Sequence, residues 1–112
     1  MLEHQSVWRA IDRLAARYNL SPDPHAYALE ITGDGLLPVY RNGDLVVVSP
    51  SAEVKAGDRI LLRSLQGELL IAELLEKSSD RLRVKSLSRE HVVRDLPRSQ
   101  TQWISKIAWS GH

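Results

Sequence analysis

The feature that most constrains this chain is a change of hydrophobic period at Ser21-Pro22-Asp23-Pro24. Before it, Val7, Ile11, Leu14, Ala15 and Tyr18 recur at helical spacing and predict a helix over residues 4–18, with Arg9, Arg13 and Arg17 on a separate stripe. Asn19 suits the left-handed residue that closes a helix. Pro22 and Pro24 then bar continuation, because proline lacks an N–H and disfavours helix in the residue before it. After the break the period is 2 and β-branched residues take over. A chain that switches period once, and does not switch back, predicts one helix followed by a mostly antiparallel β domain.

Turn chemistry divides the β region. Arg41-Asn42-Gly43-Asp44 supplies the positive φ angles of a tight turn and launches a strand at 45–49 that is apolar on both faces, hence buried. Ala56-Gly57-Asp58 turns into a strand at 59–64, and Leu65-Gln66-Gly67 closes a hairpin onto a strand at 68–76. Leu69, Leu70, Ala72 and Leu75 would also suit a helix, but the hairpin context favours strand. Further strands are expected at 27–32, at 81–87, where Leu82 and Val84 alternate with Arg81, Arg83 and Lys85, and at 103–110, with Trp103, Ser105, Ile107 and Trp109 on one face.

Composition narrows the chemistry. With 112 residues, one core suffices. No apolar run exceeds four residues, as in Leu45-Val46-Val47-Val48, so no membrane-spanning helix is expected. No charged n-region and apolar h-region open the chain, so a cytoplasmic location is expected. The absence of Cys removes disulfides, thiolate metal sites and a cysteine nucleophile. His4, His25, His91 and His112 are scattered without ligand spacing, so neither metal nor cofactor is expected. A net charge of +1 gives little pull on phosphates, so Arg9, Arg13 and Arg17 read first as a solvated face and only second as a partner or phosphate contact.

The order Gly33-Asp34-Gly35-Leu36-Leu37-Pro38, Arg41-Asn42-Gly43-Asp44, Val54-Lys55-Ala56-Gly57-Asp58 resembles the LexA and phage-repressor family of self-cleaving serine peptidases. The hairpin strand through Leu75, the Ser86-Leu87 segment and the closing strand extend the likeness over residues 25–110. The resemblance implies a mainly β fold (β-clip, signal-peptidase-like antiparallel sheets) at 23–112. It implies that residues 1–22 are an N-terminal helix left from a helix-turn-helix domain. A single helix would not read DNA, since the groove-entering second helix is lacking.

The family's chemistry is a Ser-Lys dyad, in which a lysine kept neutral by burial takes the serine proton. In this chain the serine position is Gly35 and the lysine position is Ala72. Thr32 and Lys77 are not substitutes by position, so no catalysis is expected. The family cleaves itself at a small-residue bond in a linker, and Ala56-Gly57 reads instead as part of a structural turn. Asp34, Asp44 and Asp58 read as turn residues rather than catalytic carboxylates.

Trp103, Ile107 and Trp109 are candidate dimer-interface residues, because the family's last strand belongs to its dimer surface. The alternative for the tryptophans is core filling in a chain without Phe. The expected function is a non-catalytic regulator that dimerises with itself or with a full-length LexA-like repressor, as an antirepressor or dominant-negative partner. Direct DNA binding, membrane association and a small-molecule substrate are not expected. The competing reading is a repressor fragment or peptidase homologue with residual DNA binding or self-cleavage.

Overall fold

The computed structural model describes residues 2–5 and 24–111. Among them run eight strands: β1 (Leu2–Gln5), β2 (Tyr27–Ile31), β3 (Leu45–Ser49), β4 (Arg59–Ser64), β5 (Leu69–Lys77), β6 (Arg81–Ser86), β7 (Val93–Pro97) and β8 (Thr101–Gly111), with a short 3-10 turn at Arg98–Gln100. They pair antiparallel in the order β1-β2-β3-β8-β4-β5-β6-β7. The expected β architecture is therefore present, and β3 and β4 keep the bounds expected from their turns.

The N-terminal helix needs correction. His4 and Gln5 lie in β1, opposite Leu29 and Ala28 of β2. Pairing with the β2 edge supplies their backbone with partners that a local helical period cannot foresee. The rest of the expected helix, including Trp8, Arg9, Arg13 and Arg17, lies outside the described residues, among which there is no α-helix. The sequence reading also missed β7. Val93-Arg94-Asp95-Leu96-Pro97 carries two charges and a proline, which suit a sheet edge and dilute the alternation by which strands are recognised.

Two apolar clusters use the two faces of the sheet. One gathers Leu29 and Ile31 of β2, Val46 and Val48 of β3, Leu61, Ile71, Ile107, and the loop residues Leu36, Tyr40 and Leu87. The other gathers Val54, Ile60, Leu62, Ala72, Leu74, Leu82 and Val84, with Leu70, Leu96 and Ile104 against it. Neighbours in β4 and β5 point to opposite faces, so Leu61 and Ile71 enter the first cluster while Ile60, Leu62 and Ala72 enter the second. These central strands are sandwiched between two cores, which is why Ile60-Leu61-Leu62 and Leu70-Ile71-Ala72 are continuously apolar. On the outer face of β6, Arg83 bonds Asp95 at 2.9 Å and holds that carboxyl below the usual carboxylate range.

One core group is left unpaired. Tyr40 is 2% exposed, its hydroxyl has no partner among the described residues, and Arg59 lies 5.5 Å from its ring centroid. A buried hydroxyl without a bond carries its full desolvation cost. Tyr40→Phe keeps the ring and removes that cost, so urea unfolding is expected to show about 1 kcal/mol of added stability. A loss of stability would mean that the hydroxyl has a partner.

No helix among the described residues is long and apolar enough to cross a membrane.

Candidate functional site

Two turns of the same design set out the site. In each, a Gly with positive φ precedes an Asp that folds back on the turn: Gly43 at +92° and Gly57 at +94°. The Asp44 carboxylate accepts from the Arg41 N–H at 2.9 Å, and the Asp58 carboxylate accepts from the Lys55 N–H at 2.8 Å. Each turn also docks on a neighbouring strand, with Gly43 N–H donating to Ile31 O and Gly57 N–H donating to Leu74 O, both at 2.7 Å. The reading of Asp44 and Asp58 as turn residues holds. Ala56-Gly57 lies in a bonded turn, as its spacing indicated.

Asp44 is only 7% exposed, so its carboxylate matters most. Asp44→Ala leaves the Arg41 N–H without its acceptor, and urea unfolding is expected to show a loss of about 1–2 kcal/mol. Asp44→Asn keeps an acceptor oxygen and should lose less. Equal losses would place the effect elsewhere.

The first turn positions the Gly33-Asp34-Gly35 loop. The Asn42 side-chain oxygen accepts from the Gly33 N–H at 2.8 Å, and Leu36 plugs into the first cluster at 6% exposure. Leu37 N–H donates to Asp34 O at 3.2 Å, and Pro38 forms a bridge with Ser88. Gly35 is thereby held at the lip of an open groove of about 630 Å³, together with Asp34, Leu37, Ser88, Arg89 and Glu90.

Ala72 sits in β5 at 1% exposure, opposite Ile60 of β4 and Ser86 of β6. The Ser86 hydroxyl lies 3.1 Å from that of Ser88, which lines the groove with Gly35. Ser86 also accepts from the Val92 N–H at 2.9 Å. Ala72 is thus the cross-strand partner of Ser86, whose hydroxyl meets that of a groove-lining serine. Sequence reading noted Ser86-Leu87 only as a family-like segment. The pairing of Ser86 with Ser88 had no sequence signal, because it depends on the turn that follows β6.

No lysine is among the groove's described lining. The chain has four: Lys55 in the second turn, Lys77, Lys85 and Lys106. Lys77 donates to Val54 O at 2.9 Å, Lys85 lies 3.9 Å from Glu73, and Lys106 lies 3.8 Å from Asp58. The expectation from spacing that Lys77 faces away from Ala72 needs correction: the bulge between Leu74 and Glu76 sets Lys77 opposite Leu82, on the face that carries Ala72, where its ammonium group is held by Val54 O. Among the described residues no group of His, Asp or Glu is arranged to hold a metal ion.

The closing strand is central rather than peripheral. Residues 101–106 of β8 pair with β4 on one side, and residues 106–111 pair with β3 on the other. Ile107, at 9% exposure, belongs to the first cluster, and Trp103 packs partly buried against it. Ile107 packs within its own chain, because the face of β8 that carries it lies over β2 and β3 residues. Trp109 pairs through its backbone with Val47 across a bulge, and its side chain lies outside the described residues. Arg9, Arg13 and Arg17 lie outside them as well.

A family model described as Peptidase S24-like matches residues 4–108. No curated protein matches the chain.

Proposed function

The chain belongs to the Peptidase S24-like family, and from that premise we propose that it is a non-catalytic member acting through dimerisation to modulate a full-length repressor of LexA type. What carries this reading is the resemblance of the surrounding segments, which puts Gly35 and Ala72 at the two positions where the family's chemistry needs a serine and a lysine. A glycine offers no nucleophile, and a methyl group accepts no proton. The lysines do not compensate, since none is in the described lining of the groove beside Gly35. Ser88 does line it, but its one described side-chain partner is the Ser86 hydroxyl, which is no base at neutral pH. Residual peptidase chemistry is the weaker reading for that reason.

Dimerisation is supported by the sheet. Along residues 107–111, the side of β8 away from β3 carries no partner strand among the described residues. An open edge is where a strand of another copy adds. Direct DNA contact is no part of the proposal, because a net charge of +1 offers phosphates little attraction. A mixed dimer would carry one DNA-reading arm in place of two and forgo the effective-concentration gain of the second. A cytoplasmic site of action follows from the same proposal, since that is where a repressor works.

The test is co-expression with a full-length family repressor, followed by co-purification and an operator shift assay. The proposal expects a mixed complex and weakened operator binding. Unchanged operator binding in the presence of the mixed complex, or failure to form one, would overturn it.

A further inference from the structure

A second concave site lies away from the groove, at one end of the second apolar cluster. Leu62 of β4, Leu70 of β5 and Leu96 of β7 form an apolar floor, and the half-exposed Leu69 and Pro97 form the lip. The strands curl enough to bring the two ends of this region together. Leu65 N–H at the β4–β5 hairpin donates to Gln100 O at 3.0 Å, and the Gln66 and Gln100 side chains meet at 3.4 Å. The enclosed space is about 330 Å³, within the roughly 300–1,000 Å³ usual for small-molecule sites.

Its polar groups are few and unequal. Arg94 lies opposite Val84, which points into the second cluster, so Arg94 is on the cavity side of the edge strand. It has no ion-pair partner among the described residues, unlike Arg83 on the outer face, which engages both Asp95 and Glu76. Glu68 stands elsewhere on the rim, not paired with Arg94. A solvated surface arginine needs no partner, but one over an apolar floor is placed to fix the charged end of a ligand whose tail the floor accepts. The carboxylate of Glu68 repels a second negative charge and so orients the ligand toward Arg94.

The geometry points to a binding site for a linear aliphatic carboxylate, its tail over Leu62, Leu70 and Leu96 and its head on Arg94. This stands independently of the dimerisation proposal. The free acid and the apolar C-terminal residue of a peptide share this chemistry, and the test separates them.

The experiment is a titration of the full chain followed by amide chemical shifts in ¹H–¹⁵N spectra, with octanoate, octanol, octylamine and an acetylated peptide ending in leucine. Saturable octanoate shifts at Leu62, Leu69, Leu96 and Gln100 are expected, with octanol and octylamine much weaker. If the free acid is the ligand, octanoate binds more tightly than the peptide; if a C-terminus is, the order reverses, and either order supports the site. Arg94→Gln, at an exposed position that should not affect folding, is expected to weaken octanoate at least about tenfold, as loss of a charge-assisted bond does. Leu69→Ser should weaken octanoate and octanol alike. Non-saturating shifts, equal binding of octanol and octanoate, or an Arg94→Gln variant with unchanged affinity would overturn the assignment.

Discussion

A serine-directed fluorophosphonate probe is expected to leave the natural chain unlabelled and to label the Gly35→Ser, Ala72→Lys double variant. The reason lies in where the two positions sit. Gly35 is exposed at the lip of the groove, open to a probe. Ala72 is 1% exposed among apolar neighbours, and a lysine placed there would be desolvated, which lowers its pKa and keeps part of it neutral. It would start opposite Ser86, next to the Ser86–Ser88 pair that leads to Gly35. A positioned base adds on the order of 10²–10⁴ in rate. The double variant should therefore be labelled at least a hundred-fold faster than Gly35→Ser alone, with labelling that rises with pH as the lysine loses its proton. The natural chain held at alkaline pH should give no fragment by mass spectrometry. Labelling of the natural chain, or equal rates for the single and double variants, would refute the disarmed-dyad reading. Thermal unfolding of each variant keeps misfolding from being mistaken for a negative.

The largest loss of stability is expected at Leu74→Ala. Leu74 is 0% exposed, in a cluster with Val54, Ile60, Leu62, Leu82 and Val84, and its backbone bonds both Gly57 and Asp58 of the second turn. Truncation leaves a cavity under β5 that its neighbours, paired on both sides, cannot collapse to fill. The cost is expected at about 2–5 kcal/mol in urea unfolding. Leu65→Ala is the control: that side chain is 57% exposed, and its loss should stay within about 0.5 kcal/mol. Similar values for the two would mean that the second cluster is not a core.

Much of the β region was legible because its signals are local. Asn42-Gly43-Asp44 and Ala56-Gly57-Asp58 fix where β3 and β4 begin, since the glycines take up positive φ and each aspartate bonds its own turn. The period-2 alternation of Leu82 and Val84 against Arg81, Arg83 and Lys85 gave the correct faces of β6. What failed was non-local. A helical period running through His4 and Gln5 gave no hint that their backbone would pair with β2. The charges and proline of β7 concealed an edge strand whose existence depends on β6 beside it. That Ile107 packs beside Val48 had no local signal, because the two are far apart in sequence.

The period change at Ser21-Pro22-Asp23-Pro24 thus comes just before β2, but β1 at Leu2–Gln5 already belongs to the same sheet, so the break does not bound it. The sequence alone also gives the residues at positions 35 and 72, a glycine and an alanine, neither of which can serve as nucleophile or base. Only the tertiary structure decides that β8 runs through the middle of the sheet, leaving part of one side open. Only it sets Ala72 opposite Ser86, brings the Ser86 and Ser88 hydroxyls together, and places Arg94 on the side of the second cluster. The physical reason is the range of the forces: turn and strand preferences act over a few residues, whereas sheet order and face sharing are fixed by hydrogen bonds and burial between segments far apart in the chain.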